Sequence, residues 1–183
     1  MKIGRLTISD RASAGIYAAR SGPEIETALR EFLGDGAVFE SLIVPDEVPA
    51  ISAALKKFAD DLKCDMVVTT GGTGISPRDV TPEATRAVLE KELPGFGEIM
   101  RVQSFAKVRT AILSRAVAGT RGACLILNLP GKPSAVRECL EILAPAMREG
   151  LAHLHGENPH SLFASGKIVK RQTNFRAKRK PKK

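Results

Sequence analysis

Two rhythms of apolar positions run through the first 155 residues. Ile3, Leu6 and Ile8 predict a buried strand over residues 2–9, ending at the polar run Ser9-Asp10-Arg11. After a loop with Ser13, Gly15, Ser21, Gly22 and Pro23, the spacing of Ile25, Leu29, Phe32 and Leu33 predicts a helix over 24–33, stopped by Gly34-Asp35-Gly36. A second strand follows over 37–44. Pro45-Asp46-Glu47 then turns into a helix whose apolar face is Ile51, Leu55, Phe58 and Leu62, with a third strand over 66–70. Thr81 and Pro82 suit the N-cap and first position of a helix over 81–92, closed by Leu93-Pro94-Gly95. A short helix over 96–101 comes next. Residues 102–122 are undecided, with Thr110–Ser114 fitting either a strand or a helix end. A strand over 123–129, a turn at Pro130-Gly131-Lys132-Pro133 and a helix over 134–147 complete the pattern.

Strands alternating with helices across short connections predict an α/β fold, a parallel sheet covered by helices on both faces. No linker or repeat precedes residue 156. The expectation is one domain over 1–156 and a C-terminal extension over 157–183.

Charge changes this picture only at the end of the chain. The net charge is +8, but nine of the 28 Lys and Arg lie from Lys167 onward with no acid among them, leaving 19 basic against 20 acidic side chains in residues 1–166. The body is nearly neutral, and the tail reads as a disordered accessory extension able to make weak, salt-sensitive contact with polyanions. With 43% hydrophobic and 26% charged residues, the composition excludes global disorder, collagen and coiled coil. No apolar run reaches the roughly 18 residues of a membrane span, and no signal peptide is evident, so the expectation is a cytoplasmic protein. Cys64, Cys124 and Cys139, without a CxxC, read as buried reduced thiols. His153, His155 and His160 read as solvated or capping groups rather than metal ligands.

Chemistry concentrates where strands end, because an open parallel sheet binds ligands beyond the carboxyl ends of its strands. Thr69-Thr70-Gly71-Gly72-Thr73-Gly74 is neither a Walker A loop nor a dinucleotide fingerprint. Its glycines let backbone amides approach an anion, and the helix after it adds positive potential, so phosphate binding competes with a merely tight turn. Asp46 and Asp79 follow two different strands. Each has a structural reading, Asp46 as a helix cap and Asp79 in a local turn with Thr81. Together with the glycine loop they favour a Mg²⁺–nucleotide site, since Mg²⁺ takes one or two carboxylates plus phosphate oxygens. Arg78, Arg101, Arg109 and Arg115 are candidates for neutralising phosphate, none singled out.

The run from Thr70 to Thr85, Thr-Gly-Gly-Thr-Gly-Ile-Ser-Pro-Arg-Asp-Val-Thr-Pro-Glu-Ala-Thr, closely resembles the signature of the MogA-type molybdopterin adenylyltransferases, relatives of the corresponding domains of gephyrin and of the plant molybdenum-cofactor proteins. The resemblance extends in order through Ser9–Ser13, Pro45-Asp46-Glu47, Pro94–Glu98, Ile112–Arg115 and Leu127–Gly131, and departs at Ala19, where relatives often carry Asp. It implies a three-layer α/β/α sandwich with a mostly parallel central sheet, assembled as a homotrimer. It also implies transfer of AMP from Mg-ATP to the terminal phosphate of molybdopterin, with the molybdenum-insertion protein downstream. The family's essential acids fall on Asp46 and Asp79, which would also hold the Mg²⁺. Its molybdopterin contacts fall on Ser104 and Ser114, and its nucleotide-side positions on Gly71, Gly72, Thr73, Gly74 and Asn128. The competing readings are a molybdopterin-binding relative that performs no adenylylation or performs metal insertion, a scaffold or RNA-binding module using the tail, and an unrelated nucleotide enzyme using the glycine loop.

Overall fold

The computed structural model describes residues 1–157; the basic tail lies outside the described residues. A six-stranded sheet forms the middle layer, in the order β2-β1-β3-β6-β5-β4. Strands β1 (Lys2–Ile8), β2 (Val38–Val44), β3 (Met66–Thr70) and β6 (Cys124–Leu129) run parallel, while β5 (Ala118–Arg121) and β4 (Lys91–Glu92) add an antiparallel edge.

Alternation along the strands sorts side chains onto two cores. Ile3, Met66, Val68, Leu125 and Leu127 face α2 (Ser21–Leu33), α5 (Pro94–Phe105) and α6 (Pro133–Leu154). Leu6, Ile8, Val67 and Ile126 face α3 (Val48–Lys56) and α4 (Thr81–Arg86), with Phe58 fully buried in the π-helical turn that continues α3. A short helix, α1 (Asp10–Ser13), follows β1, its cap provided by the Ser9 hydroxyl, which accepts from the Ala12 amide. Three layers with a mostly parallel centre agree with the sequence-based fold.

Several boundaries differ. The helix expected to reach residue 92 stops at Arg86, because Lys91 and Glu92 pair with Thr120 and Gly119 as an edge strand. Thr81 lies inside α4 rather than capping it: Val80 is the N-cap, and the Thr81 hydroxyl donates to the Gly71 carbonyl at 2.9 Å. The helix expected over 96–101 spans Pro94–Phe105, and the last helix runs seven residues past Met147 to Leu154. The undecided stretch holds a 3-10 turn over Arg109–Leu113 and then β5.

After β1 the chain builds outward to β2 and then returns across β1 to β3. Strand order therefore reverses between β1 and β3, which opens a crevice at their carboxyl ends.

Candidate functional site

Three loops converge on that crevice. The β1–β2 ladder ends at Ile8 and Val44, and two residues beyond each lies an aspartate. Asp10 and Asp46 lock together: the Asp10 amide donates to Asp46 Oδ2 at 2.8 Å and the Asp46 amide donates to Asp10 Oδ1 at 3.0 Å. Asp46 therefore does not cap the next helix, whose N-cap is Glu47.

The glycine loop leaves β3 between these residues and α4. Gly71 and Gly72 have φ of +103° and +61°, in the region that favours glycine. A Cβ on Gly72 would stand 3.0 Å from Asp46 Oδ1, and one on Gly74 would stand 2.9 Å from Asp79 Oδ2. Both expected acids thus flank one bend. Asp79 Oδ2 accepts from the Ser76 amide at 2.8 Å, so it turns back on its own loop rather than toward Thr81. Among the described residues, nothing accepts from the amides of Gly72, Thr73 and Gly74. These amides, not the dipole of a six-residue α4, are the groups available to an anion.

Arginines hold the loop in place. Arg115 ties down its far side, its amide donating to Thr73 O at 2.9 Å, its Nε to Gly74 O at 2.7 Å and its Nη2 to Asp79 O at 2.5 Å, while Nη1 pairs with Glu83. Arg78 grips Asp10 with two prongs, Nε to Oδ2 at 2.9 Å and Nη2 to Oδ1 at 2.7 Å. Sequence reasoning gave Asp10 no role and named Arg115 only as one of four unranked phosphate candidates. Their signal was position alone, one just past a strand end and one among several unranked arginines.

Electrostatics separate the acids. Partial burial is the main cause holding the Asp46 carboxyl above the usual 3.8, opposed by the hydrogen bond from the Asp10 amide. The Arg78 hydrogen bond is the main cause holding Asp10 below it. Between 3.8 and its raised value, folded Asp46 holds more proton than the unfolded chain, so this group's share of stability falls as pH rises through that window. The Asp10 contribution has the opposite sign: present above 3.8, it is lost as pH falls through the lowered value. Carboxyl ¹³C NMR should show Asp46 titrating above Asp10, with Arg78→Ala moving Asp10 upward; the reverse order would contradict this geometry.

The remaining expected residues divide. Ser114 lines a cavity of about 390 Å³ with Arg86, Arg101, Arg115 and Pro94, beside the loop that Arg115 secures. Ser104 is elsewhere, on the flank of α5 against the Cys139 thiol of α6, so the two serines do not share that cavity. Asn128, expected as a nucleotide contact, has its side chain turned into the protein. It is fully buried, its Nδ2 donating to Thr69 Oγ1 at 3.1 Å and Thr85 Oγ1 at 3.0 Å and its Oδ1 accepting from the Val117 amide at 3.4 Å. It braces β3, α4 and β5 beneath the site. Asn128→Ala is expected to cost about 2–4 kcal/mol in urea unfolding, because three buried groups lose a partner. A changed nucleotide affinity at unchanged stability would restore the contact role.

Other candidates fall away. All three cysteines are buried and free, and burial pushes the thiols up, to about 11 for Cys64 and Cys139 and about 12 for Cys124, which leaves none poised as a nucleophile. His153 and His155 sit beside Glu149 and Asp65 at 3.8 and 3.2 Å, at the far end of α6; His160 lies outside the described residues. Among the described residues, no helix is long and apolar enough to cross a membrane.

The family description of a probable molybdopterin binding domain matches residues 4–149. The chain is 54% identical over 145 residues to a molybdopterin adenylyltransferase of Helicobacter pylori strain J99, covering 79% of this chain and 82% of that one. It is 46% identical over 165 residues to the molybdopterin adenylyltransferase of Escherichia coli K12, covering 90% and 81%. Among solved structures, the molybdopterin biosynthesis enzyme MoaB of Thermus thermophilus superposes with a TM-score of 0.74 at 43% identity, over 85% of this chain and 97% of that one.

Proposed function

This chain belongs to the family of probable molybdopterin binding domains, and from that premise we infer that it is a molybdopterin adenylyltransferase acting in molybdenum cofactor biosynthesis. ATP is the AMP donor in this reading. An oxygen of molybdopterin's terminal phosphate attacks the α-phosphorus of ATP, a new P–O bond forms, and the bond from the α-phosphorus to the bridging oxygen breaks to release pyrophosphate. The phosphate nucleophile is already anionic, so no side chain need deprotonate it. What the chain must supply is alignment and charge stabilisation.

The observation that carries this reading is the placement of Asp46 Oδ1 and Asp79 Oδ2 against the two ends of one glycine bend, Gly72 and Gly74. Two carboxylates fit Mg²⁺, which completes its shell with phosphate oxygens and water. Asp46 and Asp79 would hold the ion, whose chemistry is to neutralise the triphosphate. The free amides of Gly72, Thr73 and Gly74 receive phosphate oxygens, and Gly71 shapes the turn that presents them. The Ser114 cavity, edged by three arginines, receives the pterin phosphate. Ser104 acts from α5 as a more distant contact to the pterin.

A homotrimer belongs to the same reading. Val102, Val108 and Ile112 are 68%, 53% and 63% exposed on α5 and the turn after it, an apolar patch suited to contact between copies. A cytoplasmic location and hand-over of the product to the molybdenum-insertion protein complete it. Incubation with molybdopterin, ATP and Mg²⁺ tests the proposal: pyrophosphate and adenylylated pterin should appear in equal amounts. Pterin binding without either product would favour a molybdopterin-binding relative that performs no transfer.

A further inference from the structure

Asp46 and Asp79 stand on loops with no direct bond between them. Asp46 follows the edge strand β2, and Asp79 sits near the tip of an outlying loop where Ile75 is 67% exposed. Arg115 secures only the base of that loop and the carbonyl of Asp79. Something must set the spacing of the two carboxylates, since a cation shared between them tolerates little change in distance.

Asp10 touches both sides of the gap. It exchanges two hydrogen bonds with Asp46, at 2.8 and 3.0 Å, and takes two from Arg78, the residue immediately before Asp79, at 2.9 and 2.7 Å. Both Asp10 oxygens are thereby committed, which argues against Asp10 as a third ligand. The Arg78–Asp10 pair is exposed, 59% and 44% for the two side chains, and exposed pairs contribute little to folding. A two-pronged bridge in that position has geometry, rather than stability, as its main effect.

We propose that Asp10 is a positioning residue for adenylyl transfer, fixing Asp46 through its backbone amide and carboxylate and fixing the Asp79 loop through Arg78, so that the Arg78–Asp10 bridge sets the separation of the two cation-holding acids. The inference rests on the reading of Asp46 and Asp79 given above. Arg78 here is a strut, not a phosphate ligand.

The test compares the full chain with Asp10→Asn, Arg78→Ala and the double variant. Asparagine preserves the Asp10 amide and one acceptor oxygen for Asp46 but removes the ion pair. Free Mn²⁺ is followed by electron paramagnetic resonance in the presence of a non-hydrolysable ATP analogue, and turnover is measured against Mg²⁺ concentration. Each single variant should weaken Mn²⁺ binding about tenfold, in line with other residues that orient metal ligands. The double variant should lose no more than the weaker single, because both changes break one bridge. At saturating Mg²⁺, kcat should return to within about threefold of the parent, and the urea midpoint should barely move.

Unchanged Mn²⁺ affinity in Arg78→Ala, or losses that add in the double variant, would overturn the proposal. So would an Arg78→Ala defect in kcat that Mg²⁺ cannot repair, which would mean that Arg78 contacts phosphate directly. If Asp10→Asn does not fold, Arg78→Ala alone still decides, since its side chain is exposed. A parent chain that binds no Mn²⁺ would remove the two-acid site and this inference with it; a parent that binds Mn²⁺ while the variants match it would remove the inference alone.

Discussion

Asp79→Asn is expected to lower adenylyl transfer about a thousandfold with the fold intact, and Asp46→Asn to do the same. The substitutions isolate charge. Each asparagine keeps an oxygen where the carboxylate accepts a hydrogen bond, from the Ser76 amide for Asp79 and from the Asp10 amide for Asp46. Local structure should therefore survive, and Asp46, whose charged form is disfavoured by burial, should lose no stability on becoming neutral. The loss belongs to the chemical step, where negative charge spread over three phosphates must be compensated. Pyrophosphate release by the purified variants, with urea unfolding alongside, measures both quantities. Wild-type turnover in both variants would mean that the acids do not serve the reaction.

Gly71→Ala should act on the fold itself, with a loss of about 3 kcal/mol or more in urea unfolding. Its φ of +103° is strained for any residue with a side chain, and a Cβ there would press on the carbonyl oxygen of Ile8, closer than real Cβ atoms come. That oxygen is backbone in the interior strand β1, paired on both sides, and has no rotamer by which to retreat. Gly36 is the control: its φ is ordinary and nothing lies within 4 Å of its added Cβ, so Gly36→Ala should change stability by less than about 0.5 kcal/mol. Gly74→Ala separates the two effects. Its added carbon meets Asp79 Oδ2 rather than backbone, so activity should fall further than stability. Equal unfolding midpoints for Gly71→Ala and Gly36→Ala would show that the bend is not held against β1.

Three features that local pattern did not anticipate share one cause. Residues 88–92 continue a helical apolar rhythm, yet Lys91 and Glu92 become an edge strand because β5 presents Thr120 and Gly119 to them. Thr81 has the chemistry of a cap, but the Gly71 carbonyl lies within its reach and accepts its hydrogen bond. Asn128 carries the polar side chain of a ligand contact, but its hydrogen-bond partners, Thr69 on β3 and Thr85 on α4, are 59 and 43 residues away along the chain. In each case a partner distant in sequence prevails over a local preference.

Local pattern was sufficient by itself for the parallel core, since Ile3, Leu6, Val67 and Ile126 must leave water whatever surrounds them. It was sufficient, too, for the glycine bend and for naming Asp46 and Asp79 as candidates, because positive φ and anionic oxygen are properties of single residues and short runs. Only the tertiary structure decided which groups those acids lean on: Asp10 and Arg78 come together across 68 positions, and Arg115 reaches Asp79 across 36. Hydrogen bonds and ion pairs depend on distances of a few ångströms between atoms, and such distances between remote segments exist only once the sheet has brought its strand ends to one edge.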